Sequence, residues 1–395
     1  MEHNNFIYAS IIVCTYNQEK WIRQTIESLL SQETSYTYEI IIGEDGGTDG
    51  TRSICQEYAD KYSNITLLPS RPNMGVTANW IRCIKAGTGK YIVGCAGDDY
   101  WHNPHKLQLQ LDYMEKHKEC VLSHTDYDIL YENCNKISHN YNKSNHIIPP
   151  EGKIQQEILH GKEHISAVTM CFRRDVFETF VPTDKFIELK FPREDWPTLL
   201  ILAAHGEIRY IPISTATYRV GQISISNEID YEKIRFRAER DKVMTEYLYT
   251  LFPEWGPFED GPYFDNIGFH NALHAAYRNN DYKAAREFAK NDKTNSWATR
   301  FARTKLTFKL FRWIKQNTQT HITMFKHTKR LMSDIRFWCQ EMKLRRKEYA
   351  EWDKIESEAE GGVRHHMAGF GYYQTMQRNR AERKRRHEEE RAGIK

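Results

Sequence analysis

Long apolar runs and a secretory leader are both lacking in this sequence. No stretch approaches the roughly 18 to 20 apolar residues that a helix needs to cross a bilayer. The opening MEHNNFIYAS has none of the basic, apolar and small-residue regions of a signal peptide. A polytopic membrane protein is therefore excluded, and we expect the protein to remain in the cytoplasm.

Cysteine is sparse and scattered. The eight cysteines are spread singly along the chain, without a Cys-x-x-Cys pair. Neither a disulfide framework nor a zinc site is indicated by this spacing. We expect the thiols to be small buried side chains in a reducing compartment.

Charge is unevenly distributed along the 395 residues, although the net charge is only +3. Residues 300–395 carry 24 Lys or Arg against 12 Asp or Glu, whereas residues 1–299 carry 32 against 41.

At roughly 100 to 200 residues per domain, the length predicts two or three domains. A hydrophobic content of 40% is enough for at least one full core.

The basic C-terminal region, residues 300–395, interleaves its charges with aromatic and aliphatic residues. Such a helix can lie on an anionic membrane surface, as a peripheral contact. The same residues can equally pack as an ordinary helical domain with a charged outer face. Nucleic-acid binding is a third interpretation of the charge, but no nucleic-acid motif accompanies it, so we expect no nucleic-acid partner.

Short β-rich runs alternate with helical patterns over residues 7–130, which predicts βαβ units and a mainly parallel sheet. A long, weakly patterned polar stretch follows at residues 127–161, and helices alone are predicted beyond residue 231. The predicted strands are residues 8–14, 39–42, 65–68, 91–95, 120–123, 167–172, 208–213 and 216–220. The predicted helices are residues 17–30, 51–62, 77–86, 104–116, 175–180, 194–204 and 231–251, with a helical hairpin at 269–277 and 282–289.

Polar clusters follow three of the predicted strands, and in an open α/β sheet such strand ends form the ligand crevice. Carboxylates gathered there repel one another unless a cation or hydrogen-bond donors compensate them. Adjacent acids suit Mg²⁺ or Mn²⁺, although an isolated Asp-Asp pair is also typical of a turn. The clusters are Thr15-Tyr16-Asn17-Gln18-Glu19, residues 44–50 (EDGGTDG) and Asp98-Asp99.

Five motifs in this order resemble the family 2 glycosyltransferases of the GT-A fold. The resemblance covers residues 6–226 and implies that a sugar is transferred from a nucleotide-activated donor. The fold implied is an α/β, Rossmann-like, mainly parallel sheet, here with a C-terminal helical extension. The motifs are SIIVCTYNQEKWI (10–22), IIIGEDGGTDGT (40–51), NMGVTANW (73–80), GKYIVGCAGDDYW (89–101) and EDWP (194–197).

The resemblance implies that the first two clusters bind the nucleotide. Thr15, Tyr16 and Asp45 would hold the base, with the Tyr16 ring as a stacking face and Asp45 as an acceptor for a base N–H. Asn17 and Glu19 are further candidates for donor contacts. Asn17 can also cap the predicted helix 17–30, and Glu19 is equally suited to forming a turn.

The third cluster corresponds to the family's acid-rich motif, often written D-x-D. Here Asp98 and Asp99 follow Gly97. By position, Asp98 would contact the ribose or the sugar. Asp99 would bind the Mn²⁺ or Mg²⁺ that neutralises the departing nucleoside diphosphate.

The resemblance implies that Asp195 is the catalytic base that takes the proton of the acceptor hydroxyl. A single base opposite the leaving phosphate implies inversion at the anomeric carbon. Glu194 competes for this role, and capping of the following helix is the structural alternative for Asp195.

One departure from the family pattern lies after the last predicted strand. Many relatives have Tyr-Arg-x-His there, whereas this chain has Gly221 at the His position. Arg219 remains a candidate for pairing with a donor phosphate, and a surface ion pair is its alternative role.

The sequence therefore predicts an inverting, metal-dependent glycosyltransferase that uses a nucleotide-sugar donor, most simply a UDP-sugar. Its acceptor would be a glycan or lipid-linked hydroxyl in surface polysaccharide synthesis. The predicted divisions are a catalytic domain at 1–228, a helical domain at 229–299 and the basic region at 300–395. A catalytically silent relative that acts as a scaffold is the alternative. A dinucleotide oxidoreductase lacks its Gly-x-Gly-x-x-Gly turn here.

Overall fold

The computed structural model describes residues 6–159, 163–220, 229–258, 262–292 and 297–312. We predicted a membrane-surface helix or a helical domain for the basic region 300–395, and the part of it after residue 312 lies outside the described residues. The described residues form two compact units: one contains those of 6–220 with 243–248, and the other contains those of 229–242 and 249–312. The finer predicted boundaries at 228 and 299 stay predictions. Within the described ranges, no helix is long and apolar enough to cross a membrane.

A mixed sheet of nine strands forms the centre of the first unit, in the order β3-β2-β1-β4-β8-β6-β9-β5 with β7 on β6. Strands β3, β2, β1 and β4 pair in parallel, β8 runs antiparallel to both β4 and β6, and β6 runs parallel to β9. The strands are β1 (Ala9–Thr15), β2 (Tyr38–Glu44), β3 (Ile65–Leu67), β4 (Tyr91–Gly94), β5 (Tyr100–Trp101), β6 (Cys120–Tyr131), β7 (Lys136–Ser138), β8 (Cys171–Arg173) and β9 (Glu207–Val220).

Helices join the parallel strands and supply the apolar faces that cover the sheet. In the first of them, Ile22, Ile26 and Leu29 recur at helical spacing and are fully buried. Ile11, Ile12 and Val13 of β1 are buried in succession, as expected for a strand covered on both faces. The helices are α1 (Ile22–Leu30), α2 (Thr51–Lys61), α3 (Val76–Ala86), α4 (Lys106–Lys116), α5 (Tyr141–Ser144), α6 (Gln155–Leu159), α7 (Arg174–Phe180), α8 (Thr183–Glu188) and α9 (Asp195–Ala204).

The largest differences from the sequence prediction lie after α4. The predicted strand 120–123 is the start of the twelve-residue β6, which extends into the stretch predicted as an irregular excursion. The two predicted strands 208–213 and 216–220 form the single strand β9. Its pairing with β6 shifts in register, so the strand continues through the residues that were expected to separate the two. Residues 167–172 form a 3₁₀ turn and then the short β8.

The second unit contains helices only among its described residues, as predicted. The hairpin turns at Asp281, whose carboxylate caps α12 by accepting a hydrogen bond from the Ala284 N–H at 2.9 Å. Leu273, Tyr277 and Phe308 are among the buried residues of its core. The helices after β9 are α10 (Tyr231–Leu251), α11 (Pro262–Arg278), α12 (Tyr282–Asn291) and α13 (Trp297–Phe301).

Lys106, the first residue of α4, is fully buried in the first unit. Its Nζ donates to Gln110 Oε1 and to the carbonyl oxygen of Thr169 at 3.3 Å, and it lies 4.7 Å from the centre of the Trp101 ring. Burial lowers the pKa of Lys106 from its ordinary 10.5 to about 8. The lysine thus ties α4 to the 3₁₀ turn, but its charge opposes folding near neutral pH.

We expect Lys106→Met to remove one part of the pH dependence of folding. The unfolded chain holds this proton up to about pH 10.5 and the folded chain only to about pH 8, so wild-type stability rises with pH between these values. At about 1.36 kcal/mol per pKa unit, the rise is on the order of 3 kcal/mol. Urea denaturation of wild type and Lys106→Met at about pH 7 and about pH 10 measures this rise in the free energy of unfolding. The exposed Lys116→Met on the same helix is the control, and equal pH dependence of Lys106→Met and wild type would contradict the assignment.

Candidate active site

The reversal of strand order in the parallel part of the sheet lies at β1, which has β2 on one side and β4 on the other. The register sets Thr15 opposite Glu44, at the carboxyl ends of β1 and β2. The N–H of Asp45 donates to the Thr15 carbonyl at 3.0 Å, and the N–H of Gly97 donates to the Cys14 carbonyl at 3.0 Å. The structure therefore brings the three predicted clusters to one edge of the sheet, where such folds bind ligands.

The loops after β1 and β2 are joined by reciprocal hydrogen bonds. Asn17 Oδ1 accepts from the Thr48 N–H at 2.7 Å, and Glu19 Oε2 accepts from the Gly50 N–H at 2.9 Å. The N–H of Glu19 donates in return to Asp49 Oδ2 at 3.0 Å. The predicted capping of α1 by Asn17 is wrong, because α1 begins at Ile22 and the Asn17 backbone is left-handed, with φ 52°.

A cleft of about 560 Å³ lies at the joined loops. Burial acts to raise the pKa of Asp49 within it, but hydrogen bonds from Thr51 and from the Glu19 N–H outweigh burial and hold that pKa below its ordinary value. The lining residues are Asn17, Glu19, Lys20, Trp21 and Asp49.

Thr15 and Tyr16 differ sharply in exposure. Thr15 is 3% exposed, and its buried Oγ1 has no hydrogen-bond partner among the described residues. Tyr16 is 49% exposed, so its ring is open to solvent. An unsatisfied hydroxyl beside an exposed ring is an arrangement that a ligand with both polar and planar parts could complete.

Asp45 organises the backbone of the loop before α3. Its two carboxylate oxygens accept hydrogen bonds from the N–H groups of Met74 at 2.9 Å and Gly75 at 3.0 Å. Gly46, at φ 72°, could carry no side chain, because a Cβ would lie 2.7 Å from the Arg71 carbonyl oxygen. Each carboxylate oxygen keeps acceptor capacity, so Asp45 can still accept from a base.

The turn after β4 carries Asp98 and Asp99. A Cβ on Gly97 would lie 2.6 Å from Thr15 Oγ1, which explains why a glycine rather than an acid precedes this pair. Thr25 Oγ1 lies 3.0 Å from the Gly97 carbonyl oxygen and 2.7 Å from that of Asp99. Helix α1 therefore fixes the backbone of the turn.

The Asp99 carboxyl is 4% exposed, and burial and then the charge of Asp98 raise its pKa well above the ordinary value. Its Oδ1 accepts from the Arg219 N–H at 2.8 Å, whereas no described residue donates to Oδ2. Over the described ranges, no group of three or more His, Cys, Asp or Glu side chains converges as a metal site. Two adjacent carboxyls are a donor set that suits Mg²⁺ or Mn²⁺, which take one or two carboxylates and complete their shell with water and phosphate oxygens.

The side chain of Arg219 is 5% exposed and bonded to protein groups. Its Nε donates to the Asp98 carbonyl at 2.7 Å, Nη2 donates to Gln24 Oε1 at 2.7 Å, and Nη1 pairs with Glu132. The phosphate contact predicted for Arg219 stays a prediction. Gly221, at the position of the missing His, lies outside the described residues.

Asp195 is the first residue of α9, and its Oδ1 accepts from the Trp196 N–H at 2.7 Å. Burial and then the charge of Asp195 raise the pKa of Glu194 to about 8. Burial also raises the pKa of Glu163 to about 7, with a further contribution from Asp195. Burial therefore favours the protonated forms of two acids near Asp195, and the sequence pattern did not predict the second of them, Glu163.

Cys14 connects this acidic group to the strand ends. A side-chain hydrogen bond with Cys83, burial, and then the charges of Glu194 and Asp45 raise the pKa of the Cys14 thiol well above its ordinary value. The charges of Glu194 and Asp45 therefore both act on the thiol at the end of β1.

Comparison with known proteins gives a match to the family described as Glycosyl transferase family 2 over residues 10–180. An uncharacterized protein of Mycobacterium tuberculosis is 30% identical over 214 residues, which are 53% of this chain and 58% of the relative. The putative glycosyltransferase EpsE of Bacillus subtilis is 37% identical over 111 residues, 28% of this chain and 39% of EpsE. The chain thus spans about half the length of the curated relatives it matches.

Two solved structures are partly similar to this chain. Residues 1–349 of S. aureus TarS in complex with UDP are 17% identical, with a TM-score of 0.40 over 80% of this chain and 92% of that one. The mannosyltransferase PcManGT from Pyrobaculum calidifontis, in complex with GDP-Man and Mn²⁺, is 15% identical, with a TM-score of 0.46 over 81% and 82%.

The family match covers four of the five motifs quoted from the sequence, and those motifs include the loops that meet at the edge of the sheet. The predicted α/β fold with a C-terminal helical part is confirmed. Residues 10–180 are thus the part of the chain that is similar in sequence to glycosyl transferase family 2.

Proposed function

We propose that the protein is an inverting, metal-dependent glycosyltransferase that moves a sugar from a nucleoside diphosphate to an acceptor hydroxyl. The observation that carries the proposal is the single edge of the sheet at which Thr15, Asp45 and the Asp98–Asp99 turn are held by direct hydrogen bonds. Three features at this edge match the parts of a nucleotide sugar and its cation. They are a buried hydroxyl without a partner among the described residues, an exposed ring and a pair of adjacent carboxylates.

The nucleoside would lie against the ends of β1 and β2. The exposed Tyr16 ring offers a stacking face, Thr15 Oγ1 lacks a partner, and Asp45 can accept from a base N–H. Asn17 and Glu19 shape the adjoining cleft through their bonds to the β2 loop. We take a UDP-sugar as the expected donor.

The diphosphate would lie over the turn after β4. Asp98 would contact the ribose or sugar, and Asp99, with Oδ2 unbonded among the described residues, would hold Mn²⁺ or Mg²⁺. Such a cation neutralises charge that develops on the leaving diphosphate. The like charges of the two adjacent acids make a cation favourable at this place.

Asp195 would act as the catalytic base. Its carboxylate takes the proton of the acceptor hydroxyl as the oxygen bonds to the anomeric carbon, and the bond to the phosphate oxygen breaks with its electron pair leaving on the nucleoside diphosphate. Glu194, with a pKa of about 8, is mostly protonated near pH 7 and cannot accept a proton there. The raised pKa of Glu194 favours Asp195 as the base.

The acceptor in this proposal is a glycan or lipid-linked hydroxyl in the synthesis of a surface polysaccharide. The protein would act in the cytoplasm, with the basic segment after residue 312 as the part that contacts an anionic membrane surface. That segment carries 19 Lys or Arg against 12 Asp or Glu.

We expect the protein to bind one nucleotide in a metal-dependent manner. Calorimetric titration with UDP, GDP and CMP, each with Mn²⁺ and with excess chelator, measures it. Asp99→Asn should weaken the Mn²⁺-dependent binding at least about tenfold, which is about 1.4 kcal/mol, because it removes a charged ligand at nearly constant volume. Asp60→Asn, on the solvent side of α2, is the control. Absence of binding for every nucleotide under both conditions would refute the proposed donor site.

We expect Asp195→Asn to lower turnover by about 10²- to 10⁴-fold while leaving nucleotide affinity unchanged, because the base acts only in the reaction step. Release of nucleoside diphosphate from a panel of nucleotide sugars, with water as acceptor, measures it. Glu194→Gln should change turnover little near pH 7, since a protonated glutamic acid and a glutamine carry the same charge. Above about pH 8 Glu194 ionises, so the turnover of Glu194→Gln should differ from that of wild type only in that range. A larger loss in Glu194→Gln than in Asp195→Asn at pH 7 would reverse the assignment.

A further inference from the structure

We infer that Glu132 and Arg219 form a positioning pair that fixes the Asp98–Asp99 turn and keeps the arginine charge away from its carboxylates. The inference rests on the proposed function of that turn as the place of a divalent cation. It assigns a role to Glu132 and gives Arg219 a role other than direct contact with a phosphate.

Arg219 is bonded to the turn by both its backbone and its side chain. Its N–H donates to Asp99 Oδ1 at 2.8 Å, and its Nε donates to the Asp98 carbonyl at 2.7 Å. The guanidinium lies 5.5 Å from the centre of the Tyr100 ring, and Nη2 donates to Gln24 Oε1 at 2.7 Å. A group held from several directions and 5% exposed is suited to fixing its neighbours rather than to reaching a ligand.

Glu132 is the residue that follows β6, and it is fixed at the end of β9. Its N–H donates to the Val220 carbonyl at 2.8 Å, so the backbone places its side chain beside Arg219. Its Oε1 pairs with Nη1 of Arg219, and its Oε2 lies 2.7 Å from Nζ of Lys20. The Glu132 side chain is 17% exposed, whereas that of Lys20 is 69% exposed, so the pair with Arg219 is the less screened of the two.

The pair matters because a buried guanidinium requires a counter-charge. If Glu132 is neutralised, the Asp99 carboxyl, on which the arginine charge already acts, is the acid of the turn that can compensate Arg219. The guanidinium would then compensate the turn itself and compete with a cation for it. Glu132 therefore leaves the turn with the negative charge that a divalent cation needs.

The test is calorimetric titration of the full chain with UDP, in Mn²⁺ and in excess chelator, for wild type, Glu132→Gln, Arg219→Gln and the double variant. We expect each single variant to weaken Mn²⁺-dependent binding about tenfold or more and to leave binding in chelator within about twofold. The double variant should be no weaker than Arg219→Gln, since the two residues act as one unit. Glu57→Gln, which breaks the exposed ion pair of Arg23, is the matched control and should bind as wild type.

A phosphate contact by Arg219 gives a different result. Arg219→Gln would then lose affinity for UDP in chelator as well as in Mn²⁺, while Glu132→Gln would bind as wild type, and this result overturns the inference. Losses that add in the double variant also overturn it. If wild type binds UDP and Glu132→Gln binds it equally well, only the inference about the pair is refuted. If wild type binds no nucleotide, the proposed function is refuted and the inference with it.

Glu132→Asp separates positioning from folding, because it keeps the charge on a shorter side chain. We expect it to recover at least part of the Mn²⁺-dependent affinity lost in Glu132→Gln, with thermal unfolding midpoints of both variants close to each other. If Glu132→Asp and Glu132→Gln both fail to fold, the residue is structural and the inference is wrong.

Discussion

The structure depends on how acidic side chains gathered at one edge of a sheet are compensated. Backbone N–H groups do most of this: Met74 and Gly75 donate to Asp45, and Arg219 donates to Asp99. These donors are fixed by the fold and therefore cost no rearrangement when a ligand arrives. The same hydrogen bonds that make the acids tolerable also join the loops that form the candidate site.

The parallel half of the sheet could be predicted because its strands are short apolar runs separated by turn residues and amphipathic helices. The later strands could not be delimited in this way. In β6 the apolar start is followed by His124, Thr125 and Asp126, which are buried but polar. Their burial depends on distant partners, such as Thr215 for Thr125 and the Asn142 N–H for Asp126, and no local pattern encodes such partners.

In the candidate site, too, some residues can be predicted from the local sequence, whereas others depend on distant parts of the chain. The positions of Asp98, Asp99 and Asp195 were predicted because each belongs to a contiguous motif. Glu132 and Glu163 carry no motif and become relevant only when the fold sets them beside residues far along the chain. The predicted cap at Asn17 failed for a related reason, because Asn17 Oδ1 bonds to the loop after β2.

The contact between Gly97 and Thr15 limits how this site could be altered by evolution or by design. Space for a side chain at residue 97 is absent, because its Cβ would overlap with Thr15 and with Gln18 Oε1, 2.5 Å away. An additional acid at this position would push the turn after β4 away from β1 instead of adding a ligand. The number of carboxylates at this edge is therefore set by steric contact between two strand ends, and a change in charge would have to come from the loop after β2 or from α9.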